Sequence, residues 1–297
     1  MRLRARHVLV IANPAAGLKR GRPGGEEAAR GARRAGAMVE LYRTTGPSDA
    51  ERAAAAAPAS GFDLVLAAGG DGTAHEVANG ISGSGLAMGV APCGTMNLLA
   101  RVLGVPLDPA LAGEILVGGS FRLRVRPGRA GGRLFLLMAG AGFDSWVLRE
   151  LLRGVSGKIR FSDYVRGAAR GLATFPFPRL EVQTDGGTLA AHSVIVGRAP
   201  LYGGFLRPTP GARLGEGPLE LLALAGGRAR LAALLPRMWS GAHASAAGAT
   251  LVPVRRVAIA ADRGDVPYQL DGELAGTLPV AIDLSDSALS LATPSPR

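Results

Sequence analysis

The sequence predicts an α/β domain followed by an all-β domain: a doubly wound parallel sheet over residues 1–120 and an antiparallel β-sandwich over residues 121–297. Two observations carry this. Over the first 120 residues, short apolar runs alternate with helical segments at the spacing of parallel β-α-β units, and three of the strands run into loops punctuated by Gly or Pro. In the second half, short strand candidates follow one another with few helices between them, the rhythm of a sandwich.

In order, His7 to Ala12 is a first buried strand that stops at Asn13-Pro14-Ala15-Ala16-Gly17, and a helical segment follows to about Ala35. Val39 to Thr44 is the second strand and the Ala-rich Ser48 to Ala57 the second helix. Asp63 to Ala68 is the third strand, followed by the loop Gly69-Gly70-Asp71-Gly72-Thr73 and a helix to Asn79. Ala87 to Pro92 is a further strand, with a loop and a helix through Arg101 to Leu103. The sandwich candidates are Phe121 to Val125, Leu134 to Ala139, Leu180 to Thr184, Ser193 to Gly197, Leu219 to Ala223, Val257 to Ala261, Tyr268 to Leu270 and Val280 to Leu284. Trp146 to Thr174 interrupts them as a helical stretch, and Thr293 to Arg297 is expected to fray.

With 297 residues, 47% of them apolar, the chain can bury two cores. No apolar run reaches the roughly 18 residues of a membrane span. Met1 to Arg6 leads straight into a strand, so the expectation is a cytoplasmic protein, peripheral at most to the inner face of the membrane. The net charge of +11 fits an anionic partner such as a lipid surface, nucleotide or nucleic acid, and fits equally an arginine-rich composition set by a GC-rich genome. A single cysteine, Cys93, excludes an internal disulfide and a multi-cysteine metal site. The four histidines show no ligand spacing.

Three loops share one design, in which a strand ends, Gly or Pro punctuates and a helix begins: Asn13 to Gly17, Gly69 to Thr73, and Pro92-Cys93-Gly94-Thr95-Met96-Asn97. A doubly wound sheet gathers such loops at the carboxyl edge of its strands, where helix-start N–H groups and the macrodipole favour phosphate. Thr73 and Thr95 suit either an N-cap or a phosphate donor, and Thr44 ends the second strand on the same edge. Asp71 would repel phosphate unless it holds Mg2+ directly or through water, or aligns a proton acceptor; its alternative is a turn residue bonding its own backbone. Glu76 and Asn79 either point back to a nucleotide or lie on a solvated helix face. Phosphoryl transfer to an alcohol also needs a carboxylate that accepts the hydroxyl proton, and Glu273 in Asp271-Gly272-Glu273 is the candidate, the alternative being two solvated surface acids on a tight turn.

These blocks, in this order and over nearly the whole chain, resemble the lipid kinase family of diacylglycerol and sphingosine kinases, particularly its bacterial stand-alone members. They are Asn13-Pro14 with Gly17, Gly69 to Thr73 with Glu76, Asn79 and Gly80, Pro92 with Gly94-Thr95, Asn97 and Ala100-Arg101, Gly140 to Asp144, Tyr202-Gly203-Gly204, and Asp271-Gly272-Glu273. The resemblance implies a Rossmann-like nucleotide domain joined to a β-sandwich, with catalysis in the cleft. It places the general base on Glu273 and nucleotide contacts on Asn13, Thr44, Gly69, Gly70, Asp71, Gly72, Thr73, Glu76, Gly94, Thr95 and Asn97. It further implies ATP and Mg2+ as cofactors and a structural Mg2+ on Glu216, assisted by the carbonyls of Arg213 and Pro218. Four positions depart from the pattern: Ala16 for serine, Leu98 for aspartate, Arg198 for asparagine and Glu216 for aspartate.

The function expected is therefore ATP-dependent phosphorylation of a lipid hydroxyl, on diacylglycerol or a sphingoid base, with Glu273 as base and Asp71 organising Mg2+. A kinase of a soluble alcohol, with NAD as the specific case, and a nucleotide-binding regulator without catalysis are the rivals. The partner expected is lipid at a membrane surface and not nucleic acid, with no transmembrane segment; a homodimer is compatible. Tyr202 to Phe205 is a candidate wall of an acyl groove, the alternative being a turn packed on the sandwich. Arg149, Arg153, Lys158, Arg160, Arg166 and Arg170 are candidates for anionic headgroups, a solvated helix face being the alternative.

Overall fold

A computed structural model describes residues 2–16, 18–19, 22–154, 161–204 and 206–296. Gly17, Lys158, Arg160 and Phe205, named above, lie outside the described residues. The chain divides into two compact units, one of Met1–Pro127, Leu214–Glu216 and Ser285–Arg297, the other of Gly128–Arg213 and Gly217–Leu284.

The first unit runs β1 (His7–Ala12), α1 (Gly24–Arg34), β2 (Met38–Arg43), α2 (Asp49–Ala56), β3 (Leu64–Gly69), α3 (Asp71–Gly80), β4 (Ala87–Pro92), α4 (Leu98–Leu103), α5 (Pro109–Gly119) and β5 (Ser120–Val125). Its sheet has the order Arg2–Leu3, β5, Leu289–Thr293, β4, β3, β1, β2. From β2 across to Leu289–Thr293 the pairing is parallel, β5 joins antiparallel, and Arg2–Leu3 closes that edge antiparallel to β5. Every residue of β3 and β4 is buried, as befits parallel strands covered on both faces by crossover helices. α1 packs with α5 and α2 with α3. Alanine and glycine line the buried stripe of α1, so this helix can approach its neighbour closely.

The first unit differs from the expected 1–120 in two respects. Residues 121–125 pair here and not in the sandwich, and Leu289–Thr293, which the sequence assigned to no element and of which only Thr293 belongs to the tail expected to fray, inserts between β4 and β5 with Leu289, Leu291 and Ala292 buried. Both are pairings between segments more than 150 residues apart, for which a local apolar pattern carries no partner information. α5 was not anticipated, although Asp108 accepting from the Leu111 amide at 3.0 Å and Pro109 at the first helical position are its start signals.

The second unit contains β6 (Gly128–Ala130), β7 (Arg133–Phe135), β8 (Met138–Gly142), α6 (Phe143–Gly154), α7 (Phe161–Thr174), β9 (Leu180–Thr184), β10 (Gly187–Ala191), β11 (Ser193–Gly197), β12 (Leu219–Leu224) and α8 (Arg228–Leu234). They are followed by β13 (Ala249–Val254), β14 (Arg256–Ala261), β15 (Pro267–Leu270), β16 (Glu273–Thr277) and β17 (Val280–Leu284). Two antiparallel sheets, ordered β7-β6-β17-β14-β9-β10 and β13-β12-β11-β8-β15-β16, form the sandwich. Phe135, Val182, Val257, Ile259 and Ile282 of one sheet share a core with Val194, Val196, Leu221 and Leu270 of the other. The two-residue period of a strand turns Ile195, Leu222 and Leu224 to the opposite face, where Phe143, Leu231, Leu234 and Met238 cover them. Leu134 to Ala139, expected as one strand, is split between the two sheets at residues 136 and 137, for a reason that lies in the acid turn described next.

Candidate active site

In the first unit the strand ends are held in line by backbone bonds: Asn13 N donates to Ala68 O at 3.0 Å, Thr44 N to Ala12 O at 2.9 Å and Cys93 N to Gly69 O at 2.8 Å. The three loops thus leave one edge of the sheet side by side. The order β2-β1-β3-β4 reverses between β1 and β3, and the Asn13 and Gly69 to Thr73 loops flank that switch point, the place where open α/β sheets bind ligands. The first-turn amides of α3 have no intrahelical acceptor and point toward this edge.

Several of the polar side chains expected at a nucleotide bind the loops to one another. The Asp71 carboxylate accepts from the Leu98 and Leu99 amides, each at 3.0 Å, and so starts α4. Asn97, left-handed at φ 49, accepts from Gly94 N at 2.9 Å and donates to Gly94 O at 2.8 Å. Asn13 accepts from Ala15 N at 2.9 Å and its amide lies 3.4 Å from the Thr73 hydroxyl. Glu76 accepts from Ser48 N and Ala50 N, each at 3.1 Å, capping α2. Its carboxylate is therefore spent on helix α2, unlike the nucleotide-facing role expected for it. A Cβ on Gly94 would stand 2.7 Å from Gly70 Cα, so the second and third loops touch backbone to backbone. Thr95 stays exposed, and Thr44 is half-buried beyond β2.

Beside this edge, Asp49 accepts from the Thr45 amide, the Tyr42 hydroxyl and the Thr45 hydroxyl, and these bonds hold its carboxyl down to about 2. The same contact pushes the Tyr42 hydroxyl up.

The acid turn lies in the second unit. Asp271, left-handed at φ 48, accepts from the amides of Leu136, Leu137 and Met138 at 2.7, 2.8 and 2.9 Å. Three consecutive N–H groups converging on one carboxylate bend the chain between β7 and β8, which explains the split strand. Glu273, two residues on, begins β16, is exposed, and makes no hydrogen bond among the described residues. Between Tyr268 and Leu270, which face the sandwich core, Gln269 projects the other way. Its Oε1 accepts from Gly272 N at 2.7 Å and its Nε2 donates to Asp144 at 2.9 Å. The Tyr202 hydroxyl donates to the other oxygen of Asp144. A Cβ on Gly140 would lie 1.8 Å from Asp144 Oδ2, so the glycine of the Gly140 to Asp144 block makes room for this carboxylate. Burial pushes Asp144 up, against the two hydrogen bonds. Asp144 and Tyr202 also border an apolar cavity of about 220 Å3 lined by Phe143, Val147, Ile195, Leu206, Leu224 and Met238.

Asp144 and Gln269 received no role from the sequence. A lone glutamine in an otherwise apolar, alternating strand and an aspartate two residues after Gly142 were the available signals; the partner of each is more than 50 residues away.

The structural Mg2+ implied on Glu216, Arg213 and Pro218 does not fit. Glu216 is paired with Arg124 at 2.9 Å, and the carbonyls of Arg213, Gly217 and Pro218 accept from the Arg198 guanidinium. Among the described residues no group of three or more His, Cys, Asp or Glu could hold a metal ion. Of the basic side chains on these helices, Arg153 pairs with Glu150 at 2.9 Å and Arg166 pairs with Asp163, while Arg149 stacks on Trp146 at 3.8 Å and Arg170 is exposed. Cys93 is buried, and no described helix is long and apolar enough to cross a membrane.

Residues 7–124 match the family described as "Diacylglycerol kinase catalytic domain", and residues 138–293 match "YegS C-terminal NAD kinase beta sandwich-like domain". A Bacillus subtilis (strain 168) protein named "Diacylglycerol kinase" is 30% identical over 258 residues, covering 82% of each chain. A Pseudomonas aeruginosa (strain UCBPP-PA14) protein named "Probable lipid kinase YegS-like" is 34% identical over 221 residues, covering 69% of this chain and 70% of its own. A solved diacylglycerol kinase structure from Bacillus anthracis str. Sterne superposes with a TM-score of 0.72 at 20% identity, over 98% of both chains, which is a likeness of fold.

Proposed function

The chain belongs to the bacterial diacylglycerol and YegS-like lipid kinase family, and on that premise we propose that it transfers the γ-phosphoryl group of ATP to a hydroxyl of a lipid such as diacylglycerol or a sphingoid base. The observation that supports a lipid acceptor is the apolar cavity of the second unit, whose polar end is Asp144 with Tyr202. A dinucleotide would find few hydrogen-bonding partners there, whereas an acyl chain gains by leaving water.

In this reading the glycine loops of the first unit receive the phosphates. Backbone amides at the start of α3 and the exposed Thr95 hydroxyl face them, and Asp71 keeps the second and third loops together. Mg2+, carried in with ATP, supplies neutralisation of the phosphate charge. Asp71, whose oxygens accept the Leu98 and Leu99 amides, would be the carboxylate of this edge that orients Mg2+ when it is bound. Glu273 accepts the proton of the attacking hydroxyl as the new O–P bond forms and the bond to the β-phosphate oxygen breaks, ADP leaving with the electron pair. Its side chain is exposed and makes no hydrogen bond among the described residues, so an approaching hydroxyl finds its oxygens free of competing donors there. Asp271 and Gln269 fix the turn that carries it.

The test is incubation of the pure protein with γ-labelled ATP and Mg2+, in parallel with mixed micelles of diacylglycerol, of a sphingoid base, and with NAD in the absence of lipid. A labelled lipid is expected. Label on NAD, or only in inorganic phosphate, overturns the proposal. Pelleting with anionic vesicles across a salt series checks the surface encounter: the bound fraction should fall as salt rises.

A further inference from the structure

Arg198 follows β11 and is 1% exposed, the largest of the fully buried side chains. A buried guanidinium ordinarily finds a carboxylate, yet the partners of Arg198 are three backbone oxygens. One Nη donates to Gly217 O at 2.6 Å and reaches Pro218 O at 3.4 Å, and the other donates to Arg213 O. The two carboxylates nearest in sequence to these carbonyls are used elsewhere. Glu216 pairs with Arg124 at 2.9 Å, and Glu220 accepts from Gly211 N and Ala212 N at 2.7 and 3.0 Å. Converging carbonyls around a buried positive charge are what a hard cation would find, and here the positive charge is covalently part of the chain.

The charge count agrees. A divalent ion with one carboxylate ligand leaves a net single positive charge facing the carbonyls. A guanidinium without a carboxylate leaves the same. An asparagine at position 198 together with an acid turned inward from position 216 would require an added ion; arginine at 198 makes the ion redundant and releases Glu216 to pair with Arg124. Arg213 and Gly217 also mark where the chain leaves the second unit and returns after residues 214–216, so the guanidinium closes the base of that excursion.

We infer that Arg198 is the resident cation of the 213–218 turn, replacing a structural Mg2+ and making the stability of this protein independent of divalent metal. Burial pulls the guanidinium down to about 10, so it remains charged at neutral pH. The inference concerns folding alone and does not depend on which acceptor is phosphorylated.

Thermal unfolding of the full chain without nucleotide tests it. The wild-type melting temperature in excess EDTA is expected to match that in millimolar Mg2+ within about 1 °C, and metal analysis of the purified protein should find no stoichiometric divalent ion. A ligand held only by the folded state would raise the midpoint. Arg198→Asn is expected to lower it by about 5 °C or more, because charge-assisted bonds to buried carbonyls are lost. Arg198→Lys, a point cation that spans fewer of the carbonyls, should fall between the two. An Mg2+-dependent midpoint in the wild type, or Arg198→Asn melting with the wild type, overturns the inference. Should Arg198→Asn fail to fold, the wild-type chelation series and Arg198→Lys still decide it.

Discussion

The two units each present an aspartate beside glycine at a turn, and both aspartates serve the backbone. Asp71 takes two amides from the start of α4, and Asp271 takes three from the β7–β8 bend. What separates the units is the remainder of the site. In the first unit Asn13, Thr73, Asn97 and Asp71 knit three loops together, and the groups left for the phosphates in the proposed function are amides and the Thr95 hydroxyl. In the second, the Asp271 turn displays one unbonded acid, Glu273. In the proposed function, phosphate recognition would fall to backbone, which glycine leaves accessible, and proton transfer to the Glu273 side chain, which makes no hydrogen bond among the described residues.

The contrast between a bound and an unbound acid on one turn gives the largest expected effect. Glu273→Ala should lower kcat about a hundredfold or more, a typical general-base loss, while the melting temperature stays within about 1 °C, since an exposed group without hydrogen bonds is removed. Calorimetry alongside the phosphoryl-transfer assay checks both halves; a large loss of stability would erase the distinction.

Asp271→Ala should do the opposite first. Three amides lose their acceptor and alanine must adopt a positive φ, so stability should fall by roughly 3 kcal/mol, read as a drop in melting temperature of about 6–12 °C. Activity then follows the loss of the turn.

Asp144→Asn sharpens the comparison from within. Burial raises the folded pKa of Asp144 above its ordinary 3.8, so the folded state binds the extra proton and stability is lost as pH rises through the folded value. Asparagine keeps two partners without that penalty. The variant should be at least as stable as wild type at neutral pH, with a flatter stability profile above pH 4. Its kcat should stay close to wild type, because the asparagine oxygen still accepts from Gln269 Nε2 and the Gln269 to Gly272 link is kept. A stability loss at neutral pH would place an essential charge on Asp144.

The smallest effect belongs to the first unit. Asp49 has a folded value near 2 against an ordinary 3.8, so its contribution is present above pH 4 and disappears as pH falls toward 2. Asp49→Asn should lower stability slightly at neutral pH and flatten that acid limb, followed by circular dichroism.

The fold class and the three strand-loop-helix junctions were legible because they are local. Strand-Gly-helix punctuation at Gly69 to Thr73 and Pro92 to Asn97 reports backbone geometry directly, and the α/β rhythm predicted that these loops and the Asn13 loop share the carboxyl edge of the strands. Glu76 was read differently because its partners, Ser48 and Ala50, lie across a helix pair. Leu134 to Ala139 resembled one strand because the carboxylate that bends it sits about 135 residues later.

By itself the sequence determined which backbone segments can approach a phosphate, since glycine, proline and alternating apolar residues constrain φ, ψ and burial one residue at a time. Only tertiary structure decided which polar side chains are consumed. Asp71, Glu76, Asn97 and Asp271 went to backbone amides, Arg198 to the carbonyls expected of a metal site, and Glu273 to none. A hydrogen bond is a property of two positions brought within about 3 Å, and no single position in a sequence carries the location of its partner.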